Sequence, residues 1–194
     1  MPNLYPFLIY VIVTTFTPGP NNIMAMTNAM HDGFKKTIRF LFGKFAGFIV
    51  ILLLSGLLNL VLADILPEVH TWLNILGAGY MVFLAIHIIR SKPIADDPSA
   101  NKFNSFKSGF VMQFLNIKVI VYGVTVFSLF IIERYHDLVS ISLIAIVLAF
   151  IGFVATTTWA LGGNLFRPLL KKHYRIFNIV MGALLIYTAI ASLF

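Results

Sequence analysis

Lys118 stands alone as a charge inside an apolar stretch, framed by Gln113-Phe-Leu-Asn116-Ile on one side and Val-Ile-Val on the other. Far upstream, Thr17-Pro18-Gly19-Pro20-Asn21-Asn22 interrupts a second apolar stretch. Each proline removes a backbone donor and clashes with the preceding helical turn, so two prolines around a glycine open a helix rather than merely bend it. An opened helix presents free carbonyls at one new end, and free amides with a positive dipole end at the other. Together with a lysine ammonium, that inventory can hold both charges of a zwitterion. Lys118 and the amides freed around Pro18–Asn22 would take its carboxylate. Freed carbonyls, Asn21, Asn22 and Asn116 would take its ammonium. This is binding chemistry rather than catalysis. The chain has no cysteine, no Gly-x-Ser-Gly nucleophile and no cluster of carboxylates for hydrolysis, so an enzyme is not expected. His31, His70, His87, His136 and His173 show no metal-ligand spacing, and neither a metal nor a cofactor is expected.

The elements that carry these residues must cross a bilayer. Of 194 residues, 59% are hydrophobic and 11% charged, with a mean hydropathy of +0.92. A soluble domain has roughly a quarter charged residues, so lipid must be the solvent. A spanning helix needs about 20 mostly apolar residues, and six runs qualify: Tyr5–Met30, Phe40–Ala63, Thr71–Ile89, Gly109–Ile132, Leu138–Gly162 and Ile176–Phe194. They are continuous and too long for barrel strands, which disfavours a β-barrel. No Lys or Arg precedes the first run, while Lys35, Lys36 and Arg39 follow it; it therefore reads as a retained span and not a cleaved leader.

Basic residues mark cytoplasmic connections. The first connection is assigned Lys35, Lys36, Arg39 and Lys44, the third Arg90, Lys92, Lys102 and Lys107, and the fifth Arg167, Lys171, Lys172 and Arg175. The second has none and the fourth only Arg134, so the count is twelve against one. Both termini are thus expected outside, with three basic loops in the cytoplasm. The net charge of +7 reads as a topology signal rather than as a nucleic-acid face.

With Lys44 counted in a loop, Lys118 is the one ionisable group read deep within a span. It lies about nine residues into its run, roughly 14 Å by helical rise. An intramembrane ionisable group is a functional site by default; the alternative is a lysine that snorkels to the interface. Ser91–Ser108, rich in Pro, Ser and Asp, reads as a linker between a first half (1–90) and a second (109–194). Three spans per half put the halves in opposite senses, the arithmetic of an inverted repeat. Gln113-Phe-Leu-Asn116-Ile-Lys118 then occupies the place in the second half that the Pro-Gly-Pro segment occupies in the first. Gly43-Lys-Phe-Ala-Gly47 reads as close helix packing. Thr156-Thr157-Thr158-Trp159 and Gly162-Gly163-Asn164 either line a path or satisfy their own helix.

Thr17-Pro-Gly-Pro-Asn-Asn-Ile, His31-Asp-Gly-Phe and Gln113-Phe-Leu-Asn-Ile-Lys-Val-Ile-Val-Tyr-Gly-Val-Thr125 resemble the lysine exporter (LysE) family, and within it the exporters of cysteine and O-acetylserine. The likeness covers the whole chain. It implies export of amino acids or related metabolites, driven by the proton gradient. Many family members carry a proline where this chain has Ile117, which predicts a shallower second break.

These readings converge on an all-α membrane protein of six transmembrane helices, arranged as two inverted three-helix repeats with the first helix of each half interrupted. Its expected task is proton-driven export of small neutral amino acids across a bacterial inner membrane, since no Asp or Glu lies in any run to offset a cationic side chain. The substrate-binding candidates are Pro18, Gly19, Pro20, Asn21, Asn22, Gln113, Asn116 and Lys118; Lys118 and His87 are the candidates for proton coupling. The expected partners are the amino-acid substrate, protons and the bilayer, with a homo-oligomer left open. A passive channel or a structural membrane subunit is the alternative.

Overall fold

The computed structural model of the chain describes residues 4–17, 19–65, 75, 78, 79, 82, 83, 85, 86, 89, 90 and 104–191. Two sequence candidates, Pro18 and His87, lie outside the described residues, as does most of the linker and of the third run. All regular structure among the described residues is helical.

The first apolar run is two helices. α1 (Leu4–Phe16) ends at Thr17, and α2 (Pro20–Asp32) starts on Pro20 with Gly19 extended before it. Pro20 occupies the first helical position, where its missing N–H has no intrahelical acceptor to lose. α2 stops at Gly33, whose φ of +83° is one that L side chains rarely adopt; its N–H reaches the Ala29 carbonyl at 3.0 Å. α3 (Phe34–Ile65) follows at once.

The fourth run is broken as well. α4 (Phe106–Leu115) is capped by Ser105, whose hydroxyl accepts the Ser108 N–H at 3.1 Å. It ends at Asn116, and α5 (Ile117–Val126) departs from there and runs into a π-helical turn, Phe127–Ile131. The two arms meet at 66°. The bend forms with isoleucine at 117, so a break of this size needs no proline there. Asn116 replaces the proline by capping: its side-chain oxygen accepts the Lys118 N–H at 3.1 Å, which favours a fresh helix start over a continuing one. α6 (Leu138–Leu161) begins at Asp137, whose carboxylate accepts the Ser140 N–H at 2.8 Å. Those backbone amides hold the Asp137 carboxyl below the usual range. α7 (Gly163–Ala191) bends at His173. The described positions from 75 to 90 are helical, and Ile89 packs on Gly182 of α7.

The connections are shorter than their charges suggested. Lys35, Lys36 and Arg39 ride on the first turns of α3, Lys107 on α4, and Arg167 to Arg175 on α7. Helices extend past the apolar runs because a polar turn still satisfies its own backbone. Among the described residues, Phe34–Val61 and Leu138–Leu161 are long and apolar enough to cross a membrane, and the bent α4–α5 pair makes a third candidate span.

α3 is the central post, packed by α4, α6, α5 and α2. Its contact with α4 is backbone on backbone: a methyl on Gly43 would strike the Phe106 carbonyl, and one on Gly109 the Phe40 carbonyl. Gly43 and Gly47 thus serve the close packing expected of that motif. An aromatic stack, Tyr10 on Tyr122 at 5.5 Å and on Phe130 at 5.8 Å, ties α1 to α5. Leu54, Leu57, Leu58 and Val61 of α3 and Val139, Leu143, Val147 and Phe150 of α6 point outward, while Asn21, Asn22, Lys44, Gln113 and Thr156 are buried. Apolar outside and polar inside is the arrangement of a protein dissolved in lipid.

Candidate functional site

The two helix breaks face one another across one cavity of about 50 Å³. Its walls include Gly19, Pro20, Asn21 and Asn22 from the first break and Gln113, Asn116 and Lys118 from the second. Seven of the eight sequence candidates for substrate binding therefore converge, the eighth being Pro18. No acidic residue is among the described residues that line the cavity.

Each broken end is satisfied differently. The last carbonyls of α1 have no intrahelical donors and receive side chains instead. Asn22 donates its amide to Thr15 O at 2.8 Å and Thr17 O at 3.1 Å. Trp159 donates its indole N–H to Phe16 O at 3.0 Å, and the half-buried Lys118 donates its ammonium to Thr17 O at 3.4 Å. Lys118 thus stays at the break and holds the first half to the second. Gly19 makes room for it, because a methyl at that position would lie 3.3 Å from Nζ.

Asn21 and Gln113 form a reciprocal amide pair: Asn21 Nδ2 donates to Gln113 Oε1 at 2.9 Å and Gln113 Nε2 to Asn21 Oδ1 at 3.3 Å. Gln113 also donates to Gly109 O at 3.1 Å. Both side chains are spent on joining α2 to α4. The residues that begin α2 (Pro20, Asn21 and Asn22) and α5 (Lys118 and Val119) line the cavity, and helix N-termini favour anions.

Lys44 corrects the sequence reading. It is not a loop residue: it lies within α3, 6% exposed, on the cavity wall. Its ammonium donates to Gly152 O at 3.3 Å and to the Thr156 hydroxyl, and Thr156 donates to Asn22 Oδ1 at 3.2 Å or to Gly152 O at 2.8 Å. A chain of polar contacts therefore runs from α3 through α6 to the first break. The signal was present, since Lys44 falls inside the second apolar run and between two packing glycines. Tallying it with its basic neighbours obscured it.

Of the Thr-rich segment, Thr156 faces the site and Trp159 closes α1, whereas Thr158 bonds back to Val154 O of its own helix at 2.9 Å. Thr14, Thr15, Phe48, Val119 and Tyr122 also line the cavity and were not singled out by the sequence. They lie in apolar stretches where one threonine or tyrosine carries no signal of its own. No group of three His, Asp or Glu able to hold a metal ion occurs among the described residues.

The chain matches the family described as LysE type translocator over residues 12–194. It is 38% identical to the cysteine/O-acetylserine efflux protein of Escherichia coli strain K12 over 187 residues, which is 96% of this chain and 95% of that one. The protein of the same description from Shigella flexneri serotype 5b is 38% identical over the same shares. No solved structure matches the chain.

Proposed function

The chain belongs to the LysE type translocator family, and on that premise we propose that it exports small neutral amino acids or their derivatives, of the cysteine and O-acetylserine kind, out of the cytoplasm in exchange for protons. It is an integral membrane transporter and not an enzyme. The observation that carries the substrate class is the convergence of two helix N-termini and two lysines, Lys44 and Lys118, on a cavity whose described lining holds no carboxylate. Such a site attracts the carboxylate of an amino acid and repels an additional side-chain cation. The Thr17 carbonyl, once Lys118 turns from it to the substrate carboxylate, suits the ammonium.

Lys118 is the proposed anchor and proton carrier. Its ammonium sits on Thr17 O, the last turn of α1, so it can leave that carbonyl for a substrate carboxylate and return on release. The supporting architecture is six spans in two inverted halves, 1–90 and 109–194, joined by a cytoplasmic linker at 91–108, with both termini outside the inner membrane. The matched breaks support it, because paired interruptions in corresponding spans mark a transporter's central site.

The test is counterflow in proteoliposomes under an imposed pH step. The native protein should exchange labelled neutral amino acids and accelerate when the step is inward for protons. Lys118→Met should reduce exchange by about a hundredfold, as expected when a buried charge partner is lost. Lys118→Arg should still bind substrate yet ignore the pH step, since a guanidinium does not titrate. Normal exchange in the methionine variant overturns the anchor. A pH response retained by the arginine variant overturns the proton role, and a native protein blind to the pH step is a passive channel.

A further inference from the structure

Two hydroxyls on the cavity wall have no hydrogen-bond partner among the described residues. Thr14 Oγ1 and Tyr122 OH are buried and make no hydrogen bond, although both residues line the cavity and are 3% and 2% exposed. A buried hydroxyl without a partner is costly, and native structures rarely keep one unless something else completes it. Thr14 and Tyr122 come from different halves of the chain, one on α1 and one on α5.

Their level relative to the charged groups is set by helix geometry. Tyr122 is four residues beyond Lys118 on α5, so the two share a face about 6 Å apart along the axis. Thr14 lies one turn before Thr17, the carbonyl that Lys118 holds. The two hydroxyls therefore form a second tier, one turn from the charged tier on the same cavity. Tyr122 is fixed in place by rings on two sides, Tyr10 at 5.5 Å and Phe48 at 5.7 Å. A phenol held by stacking cannot swing away to find water.

We propose that Thr14 and Tyr122 form the side-chain subsite of the transporter, selecting amino acids whose side chain carries a hydrogen-bonding oxygen, a hydroxyl or an acyl ester, over aliphatic ones of equal size. This rests on the export reading above and specifies its substrate class. In an amino acid held by its carboxylate and ammonium at the level of Lys118, an oxygen on the β-carbon stands about 2.4 Å from Cα, and a hydrogen bond of about 2.8 Å completes the reach of roughly one helical turn to the hydroxyls. An aliphatic side chain of the same length desolvates both hydroxyls and returns nothing. Sites built to hydrogen-bond a substrate reject analogues lacking the group far more strongly than apolar pockets discriminate size.

The experiment is counterflow of serine, O-acetylserine, alanine and 2-aminobutyrate in proteoliposomes, read as the ratio of oxygen-bearing to aliphatic exchange. The native protein should favour serine over 2-aminobutyrate by about tenfold or more. Tyr122→Phe and Thr14→Val each keep the shape and remove one unpaired hydroxyl, so each should shrink that ratio and the pair together should bring it near unity. A native protein without the preference, or variants that exchange with the native ratio, overturn the subsite and leave export intact. If no amino acid exchanges in the native protein, the export reading falls and the subsite with it. Two single variants on separate helices guard against a loss of folding in either one.

Discussion

The two breaks open onto one cavity by opposite means. At the first, the sequence removes what a helix needs: Pro18 and Pro20 lack donors, and the exposed carbonyls of α1 are then served by Asn22, Trp159 and Lys118. At the second, no backbone donor is removed. Asn116 supplies a competing one-residue cap whose oxygen takes the Lys118 N–H, and the chain turns by 66°. The first break is compelled by covalent chemistry and completed by distant side chains. The second is chosen by a local hydrogen bond. A compelled break is insensitive to its neighbours' chemistry, whereas a chosen one depends on a single side chain.

Three substitutions sharpen that contrast, in order of expected effect. Pro18→Ala with Pro20→Ala lifts the covalent bar, since each proline disfavours a helix interior by about 3 kcal/mol. α1 and α2 should then fuse, and exchange should fall by about a hundredfold while the protein still reaches the membrane. Normal exchange in that double variant would reduce the segment to a packing kink. Asn116→Ala removes only a cap, worth about 1 kcal/mol. Exchange should fall by about tenfold and unfolding should shift to lower temperature, and a straight α4–α5 helix should appear as lost accessibility at position 117. If Asn116→Ala is as damaging as the double proline variant, the second break has no alternative support and the contrast collapses. Gly19→Ala is the mildest. Its methyl would press on Lys118 Nζ from 3.3 Å, so the apparent KM should rise by about threefold with little change in maximal rate. An unaltered KM would place Lys118 elsewhere during transport.

The Pro-Gly-Pro-Asn-Asn segment was legible because proline acts locally, and its position needed no knowledge of the fold. Lys118 was legible because a charge in an apolar run has few explanations. Asn116 was half legible: it was chosen as a polar group at mid-depth, but its capping role depends on a backbone conformation, φ −96° and ψ 99°, that a proline-free sequence does not advertise. Lys44 was misread because charge counting treats position in the chain as position in the membrane, and a lysine early in α3 can be buried by α6 as readily as exposed in a loop. Asn21 and Gln113 were singled out as candidates, yet their mutual pairing depends on tertiary contact alone. Thr14 and Tyr122 were invisible for the same reason, since only packing reveals which hydroxyls lack partners.

The capped end of α1 also bears on biogenesis. Its carbonyls at Thr15, Phe16 and Thr17 wait for donors at positions 22, 118 and 159. In hydrocarbon an unserved backbone group costs several kcal/mol, and the ribosome delivers Lys118 and Trp159 only after most of the chain has been made. α1 is therefore an unfinished part until it is completed from the second half of the polypeptide. Quality control that senses unpaired backbone in the membrane would read α1 as incomplete until Lys118 and Trp159 have docked, so a truncated product would be marked for removal by the same contacts that complete the cavity wall.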